Sequence, residues 1–113
     1  MIKIHCQEPW FSKIKFGLKK IEGRKYSAQY AALQPGEMVL FYFDNDSFLA
    51  EIVKVVTYAT LEDYLTIEGV QNALPGIITL DDAVEVYLGF NSREKLQQAG
   101  GFLAIHVKAK EKI

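Results

Sequence analysis

With a single cysteine, Cys6, the chain cannot close an internal disulfide. That excludes a disulfide-stapled secreted scaffold and points to a reducing compartment, cytosol or nucleus, with a cytoplasmic location as the expectation. No apolar run approaches the roughly 20 residues that cross a bilayer. Met1-Ile2-Lys3-Ile4-His5-Cys6 alternates, where a signal peptide would carry a solid apolar block. Charge of one sign is lacking too. The 13 Lys/Arg stand against 14 Asp/Glu, so the overall balance is not that of a strong nucleic-acid binder. Repeats, low-complexity tracts and linkers are absent, as are a glycine-rich phosphate loop, a nucleophile elbow and a zinc signature. His5 and His106 would need a third ligand to hold a metal, and Cys6 points away from His5 on an alternating strand. No metal or cofactor is expected.

What is present describes an ordinary globular chain. A hydrophobic fraction of 50% and a charged fraction of 24% suffice for one core, and we expect one domain over residues 1–113. Charge is unevenly spread. Residues 1–25 carry seven Lys/Arg against Glu8 and Glu22, residues 26–94 carry Lys54 and Arg93 against eleven acids, and residues 95–113 carry four lysines against Glu111. If the terminal strands pair, the two basic ends share a face that attracts phosphates, and the alternative is simply a solvated surface. His5 and His106 would then also face each other.

The hydrophobic pattern predicts a mixed order of elements. Residues 2–7 alternate as a strand, with Ile2, Ile4 and Cys6 on one side. Residues 9–19 read as a helix whose apolar positions Trp10, Ile14, Leu18 and Ile21 share one face, with Pro9 tolerated in the first turn. An extended piece runs on through Glu22 to Tyr26. Leu33-Gln34-Pro35-Gly36-Glu37 is a turn into the β-prone run Met38–Phe43. The polar loop Asp44–Ser47 leads to a strand over Phe48–Val56. Thr60 with Asp63, and Thr79 with Asp82, carry the pattern of a capped helix start. Gly69 ends the first of these helices, Leu74-Pro75-Gly76 turns, and the second carries Ala83, Val84, Tyr87 and Leu88. Asn91-Ser92 opens a last helix, Arg93–Ala99, stopped by Gly100-Gly101. Phe102–Lys110 closes as a strand with faces Phe102/Ala104/His106 and Leu103/Ile105/Val107. The sum is a small α+β barrel with short helices.

The densest chemistry lies in Gly17-Leu18-Lys19-Lys20-Ile21-Glu22-Gly23-Arg24. If the chain is extended from Ile21, Glu22 and Arg24 lie two apart and point to one side. Lys19, Glu22 and Arg24 then gather at a helix-to-strand corner, as a phosphate or nucleobase site or as an ion pair tying helix to sheet. Lys19 is either a ligand contact and candidate base, or a cation at a helix C-terminus. Lys20 reads as surface. Trp10 and Phe11 either stack on a base, worth about 1–3 kcal/mol per base, or pack under the sheet. Cys6 reads as a small buried residue. Asp81 and Asp82 suit a helix N-terminus, and an acidic stretch over residues 60–85 suits a basic protein partner.

Three features together resemble the ASCH family, a branch of the PUA-like superfold. They are Pro9-Trp10-Phe11 followed by Gly17-x-Lys19-x-x-Glu22-x-Arg24, the turn Leu33-x-Pro35-Gly36-Glu37 into an apolar strand, and Gly101-x-x-Ala104-Ile105-His106-Val107. The segment from Leu74-Pro75-Gly76 to Tyr87 also resembles an insertion in some members. The resemblance implies a PUA-like β-barrel of about five or six strands, with a cleft between helix and barrel. It implies RNA or a modified nucleoside or nucleotide as partner, bound by Lys19, Glu22, Arg24 and Trp10. One bacterial branch includes amidohydrolases that deacylate acetylated cytidine with a similar Gly-x-Lys-x-x-Thr-x-Arg and a later glutamate. This chain departs from it, because Glu22 stands in the threonine position and a carboxylate does not replace a hydroxyl nucleophile. Glu68 is the candidate for the later glutamate. An amidohydrolase, or a ribonuclease using Lys19 and Glu22 as acid/base groups, is the alternative to a binding module.

Overall fold

This computed structural model describes residues 1–110. Five strands form one curled half-barrel sheet in the order β1-β3-β4-β5-β2, with six helices among the described residues packed around it. The strands are β1 (Lys3–His5), β2 (Ile21–Lys25), β3 (Met38–Phe43), β4 (Asp46–Tyr58) and β5 (Phe102–Ala109). The helices are α1 (Trp10–Lys15), α2 (Ala28–Ala31), α3 (Leu61–Glu68), α4 (Val70–Ala73), α5 (Leu80–Leu88) and α6 (Arg93–Ala99). None of the helices is long and apolar enough to cross a membrane.

β3 and β4 pair as a hairpin through Phe43↔Asp46, so the loop is tighter than the sequence suggested. Asp44 takes φ 50 there, a left-handed conformation that aspartate tolerates. The thirteen-residue β4 shifts register between Ile52 and Lys54. An extra residue of this kind bends a strand and deepens its twist, and here it leaves Val53 half exposed.

β5 runs through the middle of the molecule, and its alternation is the one the sequence predicted. Leu103, Ile105 and Val107 join Ile4, Phe11, Ile14, Phe41 and Phe48 in one apolar cluster. Phe102 and Ala104 join Ile21, Tyr64, Leu65, Val84 and Tyr87 in a second, under α3–α6. Trp10 packs against both.

One condition left open by the sequence is decided, and one expectation is corrected. The terminal strands do not pair: β1 pairs in parallel with β3, and β5 pairs with β4 and β2. His5 and His106 therefore do not face each other. The first helix ends at Lys15 rather than residue 19. Gly17 takes φ 82, and its N–H bonds the Ile14 carbonyl while the Leu18 N–H bonds that of Lys13. These two bonds close the helix end as a Schellman motif, which needs a left-handed residue that glycine supplies without strain. Leu18, placed on the helix's apolar face by spacing, is instead 66% exposed. α2 and α4, each four residues long, carry too short a pattern to be seen in advance. Of the basic C-terminal stretch, Glu111 and Lys112 lie outside the described residues.

Candidate ligand-binding site

β1 and β2 are the two edges of the sheet, and its curl brings them together. At the seam the Arg24 guanidinium, on β2, donates to the His5 carbonyl on β1. It also donates to Glu22 Oε2 at 2.9 Å. Glu22 and Arg24 lie two residues apart on a strand and so project to one side. The Cys6 thiol donates to the Gln7 carbonyl at 3.9 Å, with the Glu22 carboxylate close enough to act on it electrostatically. A cavity of about 160 Å³ opens here, lined by Cys6, Trp10, Glu22, Arg24, Phe90 and Asn91 among others. Pockets for drug-sized ligands run to about 300–1,000 Å³, so this hollow suits a single small ring system or part of a larger ligand.

Lys19 is brought to the corner but not to the hollow. It is 2% exposed and does not line the cavity. Its ammonium donates to the Ala73 carbonyl at the end of α4 and lies 3.9 Å from Glu22 Oε1 and 5.6 Å from the centre of the Trp10 ring. Lys13 makes a parallel contact, donating to the Pro75 carbonyl at 2.6 Å with its ammonium 5.1 Å from the same ring. Two cations thus fix the indole against α4 and the turn that follows it. Lys20 is exposed.

Burial pushes the Lys19 ammonium below its ordinary value, and Glu22 opposes that shift. Burial also pushes the Cys6 thiol up, and Glu22 adds to it, so Cys6 is a protonated donor rather than a nucleophile. Burial alone would lower Arg24, but Glu22 outweighs it and holds the guanidinium more firmly charged.

Gly23 accounts for the closeness of β2 to the helices. A Cβ there would stand 2.6 Å from Phe102 Cε2, 2.7 Å from the Tyr64 hydroxyl and 2.9 Å from the Tyr87 hydroxyl. Those two hydroxyls bond each other at 2.8 Å, and Tyr87 also lines the cavity. Burial holds both phenols well above their ordinary value.

Glu68 lies outside this lining. Its carboxylate accepts from the Tyr58 hydroxyl at 2.6 Å and lies 3.1 Å from His106 Nε2. No cluster of three or more metal-ligating side chains occurs among the described residues. Phe90 carries no local signal for this placement, and Asn91 reads with Ser92 as a helix start. Ser92 alone caps α6, accepting from the Lys95 N–H at 3.2 Å, and Asn91 is left to line the hollow.

A curled five-stranded sheet with short helices and a hollow at its seam defines a PUA-like fold. The chain belongs to the ASCH domain family, which matches residues 4–111. It is similar to a crystal structure described as hypothetical protein PH0355, with 29% identity, a TM-score of 0.86, and 96% of this chain and 97% of that one covered. It is also similar to the solution NMR structure of protein PF0455 from Pyrococcus furiosus, with 28% identity, a TM-score of 0.79, and 98% of each chain covered. No curated protein matches the chain.

Proposed function

We propose that this ASCH domain binds RNA or a modified nucleotide, with one base seated in the seam cavity. The observation that carries this reading is the Glu22–Arg24 pair at 2.9 Å among aromatic side chains, Trp10 and Phe90, that line the same hollow. A carboxylate accepts from a base amino group, a guanidinium donates to a carbonyl or phosphate oxygen, and aromatic faces take the ring plane. ASCH membership is in keeping with an RNA-related role.

A hydrolytic reading, deacylating a cytidine or cleaving RNA with Lys19 and Glu22, draws support from the lowered Lys19 ammonium. General catalysis requires both groups within reach of substrate. Lys19 is instead committed to Ala73 behind Glu22, which favours binding over turnover.

Trp10 is the chain's one tryptophan, so its fluorescence reports on the cavity directly. Titration with nucleoside monophosphates and short single-stranded RNA at low salt should quench or shift that emission. Arg24→Ala should weaken the response about tenfold or more, the loss of a charge-assisted contact of about 1.5–3 kcal/mol. No response from the folded parent to any of these ligands rejects the reading.

A further inference from the structure

A second groove, of about 710 Å³, lies where the C-terminal end of α1 meets β5 and the bulge in β4. Lys15, Phe16, Lys20, Val53, His106 and Lys108 line it, and no Asp or Glu among the described residues does. The chain's two basic ends meet here through the antiparallel pairing Ile21↔His106 and the bond from the Val107 N–H to the Lys20 carbonyl. Lys15 is held by Asp46 at 2.8 Å, while the side chains of Lys20 and Lys108 are exposed. Beside them Phe16 is 73% and Val53 50% exposed. An exposed aromatic among cations, in a groove whose lining is free of carboxylates, is a charge and stacking pattern complementary to a single-stranded polynucleotide.

We propose that this groove is a separate track for the sugar–phosphate backbone of single-stranded RNA, with Lys20 and Lys108 on phosphates and Phe16 stacked on a base. The proposal shares its ligand class with the seam cavity but none of the phosphate- or base-contacting side chains assigned there. It makes the domain a reader of a chain segment, gripping several nucleotides rather than one.

The test measures a fluorescein-labelled uridine dodecamer by anisotropy across a salt series, with the parent chain, Lys20→Gln/Lys108→Gln and Phe16→Ala. Neutralising two phosphate contacts on a single strand should flatten the log–log salt slope by about 1.4 and weaken binding about tenfold at low salt. Phe16→Ala should weaken binding while leaving the slope unchanged. The Trp10 response to mononucleotides should be the same in all three proteins. Parent-like affinity and slope in the double-lysine variant overturn the groove, as does the absence of dodecamer binding by the parent. Equal binding of poly-glutamate reduces the groove to ion exchange and overturns it too, and binding to phosphatidylglycerol vesicles without RNA binding assigns it to a membrane surface instead. Lysine-dependent dodecamer binding without any Trp10 response would sink the cavity reading and leave the groove standing.

Discussion

Gly23 sits between two residues that line the cavity, and its missing side chain lets β2 lie against the Tyr64–Tyr87 pair. Three side-chain atoms stand within 2.9 Å of where a Cβ would go. Two of them are hydroxyls already committed to each other, so neither yields freely. Gly23→Ala should therefore cost about 1–3 kcal/mol, the usual range for overpacking, read as a lower urea midpoint with unchanged m-value. It should also displace Glu22 and Arg24 and weaken the Trp10 response. A neutral outcome in both measurements would show that β2 has slack at this point. Glu22 and Arg24 were legible as a same-side pair because a strand's period of two follows from spacing alone. The enclosure of Lys19 was not. Its partner carbonyl belongs to Ala73, 54 residues away, in a four-residue helix with no periodic signal. Spacing reports which side chains share a face but not what covers that face.

Helix ends are where local chemistry speaks most clearly: Thr60 and Thr79 behave as their spacing predicted, and of the pair Asn91-Ser92 it is Ser92 that caps. Each accepts from the backbone N–H three residues on, at 3.1, 3.1 and 3.2 Å. The order of the strands was harder to read, since pairing β5 with β2 rather than β1 joins distant segments and leaves no mark in either. The packing of α3 against α5 belongs to this non-local class, and the Tyr64–Tyr87 hydroxyl bond, 2.8 Å long and buried, is its polar link. Tyr64→Phe or Tyr87→Phe strands the remaining hydroxyl, at about 1–3 kcal/mol for an unsatisfied buried group. The double variant removes both hydroxyls and should recover part of that loss, so its urea midpoint should exceed the sum expected from the singles. Simple additivity would mean that each hydroxyl finds another partner when its mate is removed.

Across the whole molecule the ionisable groups leave a stable plateau bounded on two sides. On the acid side, burial raises the Glu68 carboxyl, but the Tyr58 hydroxyl and His106 outweigh it and hold it below 4.5. Lys110 does the same for Glu51 and Arg93 for Glu62. Carboxyls held low in the fold bind fewer protons there than when unfolded, so their contribution is complete above 4.5 and drains away as pH falls through the folded values. Glu51 and Glu62 side chains are 38% and 42% exposed and Glu68 only 10%, so solvent screens the first two and Glu68 dominates. On the alkaline side the Cys6 thiol is raised from 9.0 by burial, the Tyr58 phenol is pushed from 10.0 up to about 12 by burial and Glu68, and Tyr64 and Tyr87 are raised by burial. These groups keep their protons in the fold after the unfolded chain has lost them, so stability falls as pH climbs above 9.0 and more steeply above 10.0. Lys19 acts the other way, since its ammonium is lowered from 10.5 by burial, and its relief partly offsets the loss until 10.5 is passed. Urea midpoints measured across pH should thus hold level from about 5 to about 9 and fall on both sides. Glu68→Gln keeps an acceptor for Tyr58 but removes the titrating carboxyl, so it should flatten the acid limb and, by removing the Glu68 charge that helps to raise the Tyr58 phenol, make the alkaline limb shallower by a smaller amount. An acid limb of unchanged slope in that variant would move the main acid-sensitive group away from the Tyr58–Glu68–His106 cluster and onto the exposed pairs.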